Sequence, residues 1–91
     1  MKRIAVQFKP SFVRALKKLE PLLQDEAIEK IEYFKDPRNH KQLRVHPLKG
    51  RLKGRYSFSV NYRYRIVFSY LNREKTGVVL LSIGDHTVYD V

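Results

Sequence analysis

Val78-Val79-Leu80-Leu81-Ser82-Ile83 is a nearly continuous apolar run near the end of a 91-residue chain. It is too short for a stable helix and long enough for a strand, and its lack of polar interruption suits a strand covered on both faces. This segment is therefore the candidate central strand of a sheet. Just upstream, Asn72 to Gly77 is a polar turn, and Tyr64 to Tyr70 forms another strand-like run. Before that, Tyr56, Phe58 and Val60 alternate with Ser57, Ser59 and Asn61, with a turn expected near Asn61. Such short connections make these three strands antiparallel neighbours. At the other end of the chain, Ile4, Val6 and Phe8 alternate with Arg3, Ala5, Gln7 and Lys9, which predicts a strand over residues 3–8.

Between the first strand and the others the period changes. Phe12, Leu16, Leu19 and Leu23 fall on an i, i+4, i+7 stripe with Arg14, Lys17 and Lys18 on the other side, as in an amphipathic helix. Pro21 interrupts it, because proline lacks an N–H and disfavours helical geometry at Glu20, yet it suits the first turn of a new helix. The second helix carries Leu23, Ala27, Ile28, Ile31 and Phe34 as its apolar stripe, has Asp25 and Glu26 in its first turn, and ends at Asp36-Pro37. The order is β-α-α-β-β-β. It predicts an α+β fold in which a helical hairpin packs on one face of a mainly antiparallel four-stranded sheet. The length suits one domain spanning residues 1–91, with no internal repeat or low-complexity segment.

Composition narrows the function. There is no cysteine, which excludes disulfides and thiolate metal sites, and the three histidines show no ligand spacing, so neither a metal nor another cofactor is expected. No apolar run approaches the about 20 residues needed to span a bilayer, and the N-terminus does not resemble a signal peptide, so a cytoplasmic protein is expected. The formal net charge is +10 and it is unevenly placed. Residues 41–70 hold 8 Lys and Arg and no Asp or Glu, whereas residues 1–40 hold 9 basic and 6 acidic side chains. Thirty residues without a carboxylate make a single-sign field that attracts nucleic acid or an acidic protein.

Three clusters in or after this stretch can carry chemistry. His46, Lys49, Arg51, Lys53 and Arg55 lie on a connector containing Pro47, Gly50 and Gly54, a set suited to phosphates along a nucleic-acid backbone or, equally, to a solvated loop. In Tyr62-Arg63-Tyr64-Arg65-Ile66-Val67-Phe68, strand alternation puts Arg63, Arg65 and Val67 on one face. An arginine fork on a rigid strand can hold a phosphate, and the competing role, an ion pair with a carboxylate, finds none within residues 41–70. Gly84-Asp85-His86-Thr87-Val88-Tyr89 follows the central strand and offers His86 for proton transfer and Tyr89 for stacking on a base, or as a capped histidine and a core tyrosine.

Leu48-Lys49-Gly50-Arg51-Leu52-Lys53-Gly54-Arg55-Tyr56, then Tyr64-Arg65-Ile66-Val67-Phe68, then Ile83-Gly84-Asp85-His86-Thr87-Val88-Tyr89, in that order and spacing, resembles the RelE/ParE superfamily of toxins over nearly the whole chain. The resemblance implies the toxin of a type II toxin–antitoxin system, an mRNA endoribonuclease acting without metal, commonly on the ribosome, and held by a small acidic antitoxin. By position it makes Arg65 the contact to the scissile phosphate, His86 an acid–base group and Tyr89 a support for base stacking. Lys49, Arg51, Lys53 and Arg55 match the family's basic loop. There is one departure: where RelE itself has two lysines after that loop, this chain has Ser57 and Ser59. Proton transfer would then fall to His86 or His46, as in the YoeB- and YafQ-like branches. Two other functions stay open, a ParE-like inhibitor of DNA gyrase without nuclease chemistry and a non-catalytic nucleic-acid-binding module.

Overall fold

In the computed structural model, which describes residues 3–85, proline decides where both helices begin. Pro10 opens α1 (Pro10–Lys17) and Pro21 opens α2 (Pro21–Phe34), each at a position whose N–H has no partner within the helix. Because α2 starts at Pro21 itself, Asp25 and Glu26 fall in its second turn, not in the first as the sequence suggested. The Gln24 side-chain amide donates to the carbonyls of Leu19 at 2.7 Å and Lys17 at 3.2 Å, tying the start of α2 to the end of α1.

Around this corner run β1 (Ala5–Phe8), β2 (His46–Pro47), β3 (Tyr56–Ser59), β4 (Arg65–Tyr70) and β5 (Gly77–Gly84), forming one sheet in the order β1-β5-β4-β3-β2. Only β1–β5 is parallel; the other pairs are antiparallel. The α+β expectation therefore holds with one strand added. The addition, β2, is two residues inside the basic connector, too short to show alternation, and its Pro47 suits the sheet edge it occupies.

The helices cover one face of the sheet. Phe12, Ala27, Ile31 and Phe34 meet Phe58, Ile66, Phe68, Val78 and Leu80, all buried. Phe34 lies between His40 and Phe58, with centroids at 4.6 and 4.4 Å and planes within 10° and 9° of parallel. Each such ring contributes about 1.5–3 kcal/mol through burial. Ile28 departs from the expected stripe: it is 51% exposed, because the core side of α2 is set by Ala27, Ile31 and Phe34. β5 departs as well. Val78, Leu80 and Ile83 are buried, but Val79, Leu81 and Ser82 are half-buried, so only one face of this strand is fully covered.

Candidate nucleic-acid interface

The sheet face turned away from the helices is built by register. His46 pairs with Ser57, Ser57 with Val67, and Val67 with Ser82, so these four residues form a row across β2, β3, β4 and β5. The next row is Ser59, Arg65 and Gly84. Directly paired residues point to the same side of a sheet, and alternation sends Phe58, Ile66 and Phe68 to the helices, so the first row and Arg65 face away from them. The β4–β5 pairing steps from Val67–Ser82 to Phe68–Leu80 and leaves Leu81 as an extra residue. That bulge lets Leu81 and Ser82 both line a cleft of about 260 Å³.

Lys9, Ser11, Leu52, Arg55 and Val67 complete the cleft. Leu52 explains how the basic connector reaches it. The segment closes on itself through Leu48 N–H to the Arg55 carbonyl at 2.8 Å and Arg55 N–H to the Leu52 carbonyl at 3.0 Å. Buried Leu52 anchors the loop over the sheet, while Lys49, Arg51, Lys53 and Arg55 remain exposed around it. Gly50 and Gly54 have φ of +66° and +92°, and nothing lies within 4 Å of where a Cβ would sit. Their purpose is backbone turning rather than the close approach of a ligand.

Arg65 begins β4 half-buried, and its Nη1 donates to the carbonyls of Asn61 at 2.6 Å and Tyr64 at 3.1 Å. Asn61 in turn is fixed from three sides. Its Oδ1 accepts from Arg63 N–H at 2.9 Å and Tyr64 N–H at 2.8 Å, and its Nδ2 donates to Glu26 Oε1 at 2.9 Å. The guanidinium is thus held at one corner of its fork. Among the described residues no ion pair engages it; Arg3–Glu32, Lys35–Glu32 and Arg38–Asp36 all sit near the end of α2. The Arg38 guanidinium lowers the Asp36 carboxyl to about 2, and Lys35, followed by Arg3, lowers Glu32.

His46 is exposed, and its Nδ1 lies 2.7 Å from the Arg44 carbonyl. A carbonyl only accepts, so Nδ1 carries the proton and Nε2 is the basic nitrogen of the neutral ring. His86 and Tyr89 lie outside the described residues. Arg63 does not share a face with Arg65: the strand starts at Arg65, and the Asn61 side chain holds residues 61–64 as a turn, leaving Arg63 over the Tyr64 ring at 6.0 Å. Three further contributors carry no signal in the sequence pattern. Lys9 and Ser11 arrive through the parallel β1–β5 pairing, and Asn61 acts through its backbone carbonyl. Among the described residues there is no cluster of groups able to hold a metal ion and no helix long and apolar enough to cross a membrane.

A helical pair on one side of a mostly antiparallel sheet, with a basic face on the other, is the fold of a class of small toxins. A chain of the RelBE2 toxin–antitoxin complex of Mycobacterium tuberculosis superimposes with a TM-score of 0.75 at 25% identity, covering 94% of each chain. A chain of the archaeal RelE–RelB complex from Pyrococcus horikoshii gives 0.69 at 20% identity, over 91% of this chain and 94% of that one. YafQ from E. coli gives 0.61 at 14% identity, over 94% and 97%. No protein-family profile matches the sequence, and no curated protein matches it. In fold the chain is therefore similar to the RelE- and YafQ-like toxins.

Proposed function

We propose that this chain is the toxin of a type II toxin–antitoxin pair and cleaves mRNA on the ribosome without a metal ion. The carrying observation is the sheet face away from the helices, where Arg65 is pinned by two carbonyls beside a cleft bearing Lys9 and Arg55. In this reading the ribose 2′-oxygen attacks the adjacent phosphorus, the P–O5′ bond breaks, and the products end in a 2′,3′-cyclic phosphate and a 5′-hydroxyl. Arg65 stabilises the charge that grows on the phosphoryl oxygens, where a preorganised donor is most effective. His46, with Nδ1 engaged by the Arg44 carbonyl, has Nε2 to accept the 2′-hydroxyl proton. His86 is assigned the proton that the leaving 5′-oxygen requires, and Tyr89 the stacking of the neighbouring base. Lys49, Arg51 and Lys53 hold the RNA backbone.

The partner that silences this face is an acidic antitoxin, a proposal supported by the charge of residues 41–70 and by the likeness to chains taken from toxin–antitoxin complexes. The test is cleavage of a defined mRNA with and without ribosomes. EDTA should leave the cleavage rate unchanged apart from its effect on ribosome integrity, and a 2′-deoxy substitution at the cut site should abolish cleavage. His46→Ala and His86→Ala should each remove one limb of the pH–rate profile. Cleavage of the deoxy substrate would exclude the mechanism. A second reading has its own support, since Ser57 is fully buried where RelE-like chemistry would use a lysine. No cleavage combined with inhibition of DNA gyrase would move the protein to the ParE-like function.

A further inference from the structure

Arg65 borders a second groove that the chemistry above leaves unused. It is about 280 Å³ in volume, is open to solvent, and lies between the β3–β4 turn, the segment around residues 42–44 and α2. Lys30, Arg44 and Arg65 supply cations, and no carboxylate lines it. Two acids adjoin it: Glu29 pairs with Lys30 at 3.9 Å, and Glu26 accepts from Asn61. Gln42 accepts the Tyr33 hydroxyl at 3.1 Å through Oε1, which leaves its NH₂ group as a donor toward a ligand. Tyr62 lines the same groove with 92% of its surface exposed. A ring so exposed gains little from the core.

Arg44 adds a second observation. Its φ is +58°, in the left-handed region that side chains bearing a Cβ resist and glycine accepts. On backbone grounds glycine suits this position better, yet a guanidinium stands there at the groove. Strained residues of this kind gather at ligand sites, and here the residue carries a charge that the groove can use.

We infer that this groove seats one nucleotide of single-stranded RNA next to the scissile one, with its phosphate at Arg44, its base on the Tyr62 ring and an edge of the base at Gln42. The inference rests on the RNA reading of the first cleft and extends it. Val67 in that cleft and Arg65 at the groove are two residues apart on one strand face, about 7 Å, so an RNA crossing the cleft continues over Arg65 into the groove. Cations beside an aromatic platform and amide donors match phosphate, base face and base edge together. An acidic peptide would use the cations and leave Tyr62 idle.

The test is binding of a fluorescent 2′-O-methyl RNA hexamer, which lacks the free 2′-hydroxyl, to the full chain across a salt series. Tyr62→Ala should weaken binding by about 5- to 100-fold with the salt slope preserved, as expected for a lost base stack. Arg44→Gly should reduce the log–log salt slope by about 0.7, one phosphate contact, while its unfolding midpoint stays level or rises because the left-handed strain is relieved. Arg73→Ser, in the turn between β4 and β5, should match wild type. Affinity unchanged in both groove variants overturns the inference, as does no hexamer binding by wild type, or an acidic peptide held through the same residues in place of RNA. Cleavage is scored separately. A chain that binds through Tyr62 and Arg44 but cuts nothing keeps the subsite and loses the nuclease, and one that cuts with both affinities unchanged does the reverse.

Discussion

The two faces of one sheet share every strand and almost no chemistry. On the helix side β3 and β4 present Phe58, Ile66 and Phe68, fully buried against Phe12 and Phe34. On the other side the same strands present Ser57, Ser59, Arg65 and Val67, under a loop whose one buried side chain, Leu52, sits among four cations. The difference shows how a chain of 91 residues divides its work. The helical face supplies nearly all the apolar burial, so the other face can carry like charges close together, a destabilising arrangement that a bound polyanion relieves. A bound partner on the basic face should therefore raise stability as well as block activity.

That division breaks most visibly at its centre. Phe34→Ala removes the ring lying between His40 and Phe58 and should cost about 3–5 kcal/mol, read as a shift in the denaturant midpoint. A loss below about 1 kcal/mol, the scale of an ordinary point mutation, would mean that the helical face is not the source of stability. Arg65→Ala should do the opposite, lowering mRNA cleavage by about 10²–10³-fold. Its stability cost should stay near 1 kcal/mol, the worth of a typical hydrogen bond, because its bonds go to turn carbonyls. Arg65→Lys should restore little, since the fork is lost. Equal loss of stability and activity in Arg65→Ala would make it a structural residue of the turn. Further out, replacing Lys49, Arg51 and Lys53 together should lower the salt slope of RNA binding by about 0.7 per lost contact. An unchanged slope would place the anion site elsewhere.

The same division governs what the sequence made legible. Helix starts and strand faces follow from local rules, proline at the first helical position and alternation of apolar residues, and these held for Pro21, β3 and β4, whereas in β1 the alternation marked the strand but Phe8 is 48% exposed. What failed depends on contacts between distant segments. The bulge at Leu81 exists only relative to Val67 and Phe68, so an apolar run that looked buried on both faces opens a cleft on one. Lys9 and Ser11 enter that cleft because β1 pairs parallel with a strand about seventy residues away, where Phe8 meets Leu80. Arg63 left the face of Arg65 because one side chain, Asn61, turned the backbone between them. The cationic composition of the site was legible; its assembly was not.

The smallest expected effect separates the two faces by pH. Asp36 Oδ2 accepts from Arg38 Nη2 at 2.7 Å, and Asp36 Oδ1 accepts from Arg38 N–H at 3.0 Å, capping the turn after α2 on the helical side. The guanidinium beside it lowers this carboxyl from 3.8 to about 2. A carboxyl whose folded value lies below its unfolded value contributes stability above the unfolded value, and that contribution fades as pH falls toward the folded one. Wild type should therefore lose a small increment of stability between about pH 4 and pH 2, read from urea midpoints at successive pH values. Asp36→Asn keeps an acceptor oxygen for the cap and loses the charge, so its midpoint should sit slightly below wild type at neutral pH and converge with it near pH 2. Because the pair is exposed and screened, added salt should shrink the gap. If Asp36→Asn follows wild type in parallel down to pH 2, the acid sensitivity belongs to Glu32, which Lys35 and Arg3 also lower, and Asp36 serves only as a cap.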